Sequence, residues 1–352
     1  MKINIQNLHI GSIISKDVYS KTAKPIIYRD TVVTEEVINL LNVFLIENVY
    51  INQKIMKDEE ETEYQSANFS NNSIEVKFKE VANEYRRLFK SWQSGSYIDI
   101  ASVRNVILPL IEIALKEQEK VFNLYKVIPK NEYLYYHSSY VAVVSAILAN
   151  NMKYSLGDIN QLSLASFLID SGMSKIDEAI LIKEGPLTNE EMKELRQHPL
   201  YSYQLVKDIP SLKEETVLAV MQHHERMDGS GYPLMIKKES IRSYSRIISV
   251  VDSFCSAISV RPYRRCLNPF TVMKKMLSEK VGKYDLTVID SLKAFFINSI
   301  LGTRVKLSNG QVGEIVFIDD KNLTKPIVKV NDEVVNLLEG DNQSIEIVDI
   351  CR

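Results

Sequence analysis

From about Ile74 to Leu301 the sequence carries helical periodicity almost without interruption, which limits that stretch to an all-helical domain. Breakers at Gly95, Pro129, Gly157, Gly185-Pro186, Pro199, Pro210 and Gly229 divide it into segments of ordinary helix length. After Gly302 the texture changes. "RVKLSNGQVGEIVFI" sets an Asn-Gly pair between alternating runs, a hairpin signal, and "PIVKV" and "SIEIVDI" follow as further strands. Residues 302–352 are therefore expected to form a small β-module.

Ahead of the helical stretch, residues 1–51 read as a small α/β unit. Ile10 to Ile14, Pro25 to Tyr28 and "VYI" at 49–51 look like strands, and Thr34 with Glu35 and Glu36 opens a helix running to about Ile46. Residues 52–73 are polar and acidic with little apolar periodicity, and read as a linker. The expected fold class is mainly α, with a helical domain at 74–301 between these two flanking units. With 352 residues, 45% of them hydrophobic, the chain can bury one sizeable core. Its net charge of -2 gives no sign of a duplex nucleic acid partner held by bulk electrostatics, and none is expected. Cys255, Cys266 and Cys351 are scattered and odd in number, which suits a reducing compartment. No signal pattern and no run of roughly 18 apolar residues appears. The expectation is a cytoplasmic protein without a membrane span.

Four of the five histidines fall in the helical stretch. His137 lies on the stripe Leu134, His137, Val141, Val144, Leu148, one apolar helix face, where a hydrogen-bonded core histidine is the bland reading. Asp252 sits among Ile247, Ile248, Val250, Val251 and Phe254, where an isolated carboxylate would cost several kcal/mol and so calls for a cation or a metal. Asp170 ends another apolar helix. His198 precedes Pro199, which predicts an extended backbone just before a helix. His223 and His224 close a helix ahead of Gly229 and Gly231. Adjacent helical side chains point about 100° apart, so both can serve one ion only near a frayed helix end. Singly, each of these residues is more simply structural. Together, four imidazoles and two carboxylates amid apolar helices match the ligand preferences of iron, manganese or zinc. A bridging aspartate between two such ions would activate water for attack at phosphorus.

The stretch "HHERMDGSGYP" resembles the signature of HD-GYP domains, a branch of the HD phosphohydrolases that hydrolyse cyclic di-GMP in bacteria. The resemblance covers about residues 110–297 and includes "PLTNEEMKELRQHPLYSYQLV", "SRIISVVD" and "RPYR" at 261–264. The N-terminal unit and the β-module are similar to units found in some relatives. The resemblance implies that His137, Asp170, His198, His223, His224 and Asp252 fall on metal-ligand positions, with Asp170 at the catalytic centre. It places Arg261 and Arg264 on the phosphates of the cyclic dinucleotide, and Gly231, Tyr232 and Pro233 in a loop beside the site.

The sequence departs from that pattern where the superfamily takes its name. Relatives have His-Asp; this chain has Ile169-Asp170. A catalytic-site lysine is replaced by Met173, Lys175 falls on the wrong helix face to substitute, and the glutamate that holds a third metal in some relatives corresponds to Tyr133. One metal position, from Asp170, His198, His223 and His224, is complete; the other keeps His137, Asp170 and Asp252. The implied cofactor is a divalent metal, iron, manganese or zinc, at one tight site. Three functions stand open: a cyclic di-GMP receptor with weakened or lost hydrolysis, a phosphodiesterase with a reduced metal site, and a helical interaction module with relic histidines. The intact "HHE" and "RPYR" stretches weigh against the third, and the two lost groups favour the first. Protein partners through the flanking units, and a homodimer, stay open.

Overall fold

In the computed structural model the described residues are 2–5, 8, 12, 14–19, 25–29, 31, 33, 35–44, 46, 48–51, 73–183, 185–260 and 266–351. The chain divides into two compact units, Met1–Asn68 and Phe69–Arg352. In the first, β1 (Lys2–Asn4) pairs antiparallel with β4 (Asn48–Tyr50), and β2 (Val18–Tyr19) with β3 (Pro25–Ile27). The helix α1 (Glu35–Val43) precedes β4. Leu8, Ile14, Val18, Ile27, Val33, Leu41 and Val49 form this unit's own core. Of the expected strand at 10–14, Ile14 makes a single bridge to Ile51, and the rest falls largely outside the described residues, as does most of the expected linker.

The second unit is helical through α2 (Ile74–Gln93), α3 (Ile100–Lys116), α4 (Gln118–Val121), α5 (Tyr133–Asn151), α6 (Leu156–Leu168), α7 (Glu178–Leu181), α8 (Asn189–Leu195), α9 (His198–Val206), α10 (Glu214–Gln222), α11 (Ser243–Ile258), α12 (Pro269–Ser278), α13 (Lys280–Lys283) and α14 (Leu286–Ile300). Its starts follow ordinary capping chemistry. Ser73 caps α2, Ser155 caps α6, and Thr188 with Glu191 makes a reciprocal capping box on α8. The helix α5 is buried from Tyr136 to Ala149 on every side, so the expected stripe is only part of it. A helix enclosed by neighbours needs no polar face. Gly157 does not break a helix either: the break is a turn earlier, at Lys153 (φ 66°), and Gly157 lies in the first turn of α6.

A five-stranded antiparallel sheet closes the unit, in the order β8-β7-β6-β5-β9: β5 (Arg304–Leu307), β6 (Val312–Phe317), β7 (Ile327–Val330), β8 (Glu333–Asn336) and β9 (Ile347–Ile350). Its buried face, including Val305, Leu307, Ile315 and Val328, belongs to the same apolar cluster as the helices. Asn268 Nδ2 donates to the carbonyls of Ile347 (3.1 Å) and Val348 (2.9 Å), tying α12 to β9. No helix among the described residues is long and apolar enough to cross a membrane.

Candidate metal centre

The side chains of the centre come from five places. His137 is on α5. Asp170 follows the end of α6, His198 opens α9, His223 and His224 follow α10, and Asp252 is on α11. All six are held within the helical core, and all but His224 are buried. The histidine nearest a proline departs from expectation. His198 is the first residue of α9 with Pro199 second, and Gln197 before it is helical too. In a first turn proline loses no hydrogen bond, so the helix absorbs the residue that the proline rule alone would extend. The frayed end expected at 223–224 is present: α10 stops at Gln222, and the His223 and His224 rings lie 4.1 Å apart.

His198, His223 and His224 offer ligand nitrogens that all lie within 4.8 Å of one another. The two buried rings are fixed from behind. His198 Nδ1 donates to the Leu195 carbonyl at 2.7 Å, and His223 Nδ1 donates to the Val220 carbonyl at 2.7 Å. A carbonyl only accepts, so each ring carries its proton on Nδ1. Burial pushes both imidazoles down to about 4, so at neutral pH they are uncharged. Their Nε2 atoms are therefore bare lone pairs, yet they face each other at 3.2 Å, with Asp170 Oδ1 3.5 Å from His198 Nε2. Three electron-rich atoms meet with no proton between them. That arrangement is repulsive unless a cation lies among them, and backbone carbonyls behind the rings are the usual support of metal-ligating histidines. Ligands at about 2.1 Å from one ion stand roughly 3.0–3.5 Å apart, which these spacings fit.

The other half of the centre is closed on itself. His137 Nε2 and Asp252 Oδ1 are 2.8 Å apart, and Asp252 Oδ2 lies 3.5 Å from His224 Nδ1. Burial is the largest single influence and raises the Asp252 carboxyl, but the hydrogen bond from His137 and the attraction of the His224, His137 and His223 rings together hold the group well below the usual range. Tyr133 stacks on the His137 ring at 4.8 Å. Ile169 is fully buried, and its carbonyl accepts from Ser202 Oγ at 2.7 Å. Met173 packs against the core. Lys175 Nζ donates to the Trp92 carbonyl at 2.6 Å and is thereby occupied at the end of α2.

Gly231, Tyr232 and Pro233 form the loop beside the histidines, with a cis peptide between Tyr232 and Pro233. The Tyr232 ring stacks on His224 at 4.7 Å, 30° from parallel. Gly231 is required by contact: a Cβ there would lie 2.4 Å from Glu225 Cα and 2.5 Å from the His224 carbonyl oxygen. Arg261 and Arg264 lie outside the described residues.

Three supporting residues were missed in the sequence. Glu225 is buried, and its Oε1 accepts from the Leu234 amide at 2.6 Å, bracing the loop. Arg226 Nη1 and Nη2 donate to Ser249 Oγ (2.7 Å) and Ser253 Oγ (2.9 Å), pinning the histidine loop to the helix of Asp252. Gln222 Oε1 accepts from the Arg242 amide and Ser245 Oγ, both at 3.0 Å, joining α10 to the start of α11. The one available signal was their position inside and next to "HHER".

A family model described as "HD domain" matches residues 124–288. A cyclic di-GMP phosphodiesterase of Pseudomonas aeruginosa is 28% identical over 244 residues, 69% of this chain and 58% of that protein. One of Thermotoga maritima is 35% identical over 130 residues, 36% of this chain and 35% of that protein. A 3'3'-cGAMP-specific phosphodiesterase of Vibrio cholerae is 33% identical over 138 residues, 39% of this chain and 30% of that protein. The chain thus spans less than two thirds of the length of these relatives. In structure the chain is similar to an HDG"Y"P protein from Bdellovibrio bacteriovorus, with a TM-score of 0.54 and 16% identity, covering 84% of this chain and 99% of that one. The helical architecture, the conjunction of histidines and carboxylates at its centre and these likenesses lead to one assignment: the chain is an HD-GYP domain protein.

Proposed function

We propose that this chain is a cyclic di-GMP signalling protein that holds a divalent cation, iron, manganese or zinc, and binds the nucleotide, with hydrolysis weakened or lost. The observation that carries the proposal is the pair of bare Nε2 atoms of His198 and His223, 3.2 Å apart with Asp170 beside them, next to a fully buried Ile169. His198, His223, His224 and Asp170 would hold the ion. A cation bound there supplies Lewis-acid polarisation of a phosphoryl oxygen and acidifies water.

The chain's own residues divide the remaining work. His137 and Asp252, already hydrogen bonded, orient each other; Asp252 stays ionised and would accept a hydrogen bond from a bound water, orienting it without taking its proton. Tyr232 walls the histidines on one side. Ile169 contributes no ligand, and Met173 no charge toward a phosphate. Each lost interaction costs about two or more orders of magnitude in rate at a few kcal/mol. A second reading, an active phosphodiesterase with a reduced metal site, is favoured by the three clustered histidines His198, His223 and His224, by the contacts that link Asp170, Asp252 and His137 to them, and by the relatives' activity.

Elemental analysis, calorimetric titration with cyclic di-GMP and a hydrolysis assay on one metal-loaded preparation test the proposal. It expects about one tight ion per chain, measurable nucleotide binding and slow or absent turnover. Turnover on the order of 0.1–10 per second selects the second reading. A protein that binds neither metal nor nucleotide overturns both.

A further inference from the structure

Two guanidinium groups lie near the Tyr232 loop, and their states differ. Arg226 is consumed by structure: besides Ser249 and Ser253 it bonds the Glu225 carbonyl at 3.0 Å and packs over the Tyr284 ring at 5.3 Å. Arg196, two residues before His198, is exposed and lies over the Tyr232 ring with Cζ 5.3 Å from its centre. Its guanidinium has no carboxylate or carbonyl partner among the described residues. Of the neighbouring acids, Glu191 pairs with Lys183 at 2.6 Å, and Glu194 accepts from the uncharged Tyr201 Oη at 3.2 Å and makes no ion pair with Arg196. A contact path therefore runs from the histidine cluster through His224 and Tyr232 to a guanidinium at the site's edge that makes no ion pair among the described residues.

Stacking on an aromatic face restrains a guanidinium without using its N–H donors, so the five-donor fork is presented to solvent in a held orientation. The bland alternative is an arginine that covers the Tyr232 ring and nothing more, worth less than the cost of moving it. Charge argues otherwise. A divalent cation among the ligands would balance Asp170 and Asp252, and Arg196 then adds a positive charge that pairs with no carboxylate among the described residues. A phosphodiester monoanion supplies a counterion, and a guanidinium fork matches its two free oxygens.

We propose that Arg196 is a phosphate-binding residue of this site, taking the free oxygens of a phosphodiester presented to the histidine cluster. The inference rests on the reading that the cluster takes a phosphodiester ligand. Its test uses the full-length, metal-loaded protein with two probes, inorganic phosphate and cyclic di-GMP, titrated against the parent, Arg196→Gln and Arg196→Lys. Elemental analysis and melting are followed in parallel. The expected result is that Arg196→Gln weakens both probes by about tenfold or more at unchanged metal content and melting temperature, the worth of a charge-assisted pair. Arg196→Lys should recover part of the loss. Equal affinities for parent and Arg196→Gln overturn the role of Arg196 and leave the cyclic di-GMP reading standing. Phosphate binding that depends on Arg196, with no cyclic di-GMP binding, keeps the role and overturns that reading. A parent that binds neither probe overturns both.

Discussion

His198 and His223 meet through their Nε2 atoms at 3.2 Å while each gives its Nδ1 proton to a backbone carbonyl of its own segment. The relationship makes the centre dependent on pH in a defined direction. In metal-stripped protein both rings have been pushed down to about 4 from the ordinary 6.5. Between these values the unfolded chain binds more protons than the folded one, so folding stability is full above about pH 6.5 and is lost as pH falls toward 4. Denaturant unfolding at pH 7, 6 and 5 should show a loss on the order of a few kcal/mol. The same series with metal should lose the ion over that window, because protons compete for Nε2. A flat stability profile from pH 7 to pH 4.5 would refute the buried, neutral pair.

Two glycines hold the centre together by close approach. A Cβ on Gly172 would lie 2.2 Å from the His198 carbonyl oxygen and 2.4 Å from the Ser202 amide, both backbone atoms that cannot move alone. Gly172→Ala should therefore shift the start of α9 and His198 with it, costing about 1–3 kcal/mol or more. Gly231→Ala meets the Glu225 and His224 backbone in the same way. Both variants should show lower melting temperatures and reduced metal content. Gly310→Ala, at a surface turn with nothing within 4 Å of the added atom but a φ of 87°, should lower melting without affecting metal. Full metal loading in Gly172→Ala would show that the α9 start is not tied to this contact.

The legibility of these features divides along physical lines. The long helical stretch and the gathering of His137, Asp170, His198, His223, His224 and Asp252 were readable, because periodicity and buried polar cost are local properties. The enclosure of α5 was not: burial on every side is set by neighbours from α2, α3, α6 and α11. The strand β8 was missed although its signal was present. Asn331 and Asp332, with φ of 47° and 71°, make the two-residue turn that pairs Val330 with Glu333. Arg196 could not be distinguished from the chain's other basic residues until its stack on Tyr232 was seen.

The β-module should prove integral to the helical domain. Asn268 caps α12 through Oδ1, accepting from the Phe270 amide at 2.8 Å, while its Nδ2 holds two carbonyls of β9. Asn268→Ala removes the cap and both tertiary bonds, and should cost about 1–3 kcal/mol. Asn268→Asp keeps the cap but turns a carboxylate oxygen toward the two β9 carbonyls, so it should destabilise as well, through β9 and not through the start of α12. Differential scanning calorimetry checks both variants and should show one transition for the second unit. Separate melting of the β-module would count against the continuous core.

Repair of the two departures from the family pattern is the most demanding test of the proposed weakened hydrolysis. Ile169 is buried beside Asp170, and its backbone carbonyl is fixed by Ser202, so a histidine there keeps the backbone where it is. Imidazole is no larger than the isoleucine side chain it replaces, and its polar nitrogens gain an ion to bind, which offsets the cost of burying them. Met173 is partly buried at the core's edge, where a lysine can run its stem over apolar neighbours and keep its ammonium near solvent. Ile169→His alone should raise metal content without full activity, and Met173→Lys alone should raise phosphate affinity at unchanged metal. The double variant should increase cyclic di-GMP turnover tenfold or more, since each restored interaction is worth a few kcal/mol in the transition state. Elemental analysis and steady-state kinetics on the four proteins decide the matter. If the double variant carries more metal yet turns over no faster than the parent, the barrier lies elsewhere than in these two side chains.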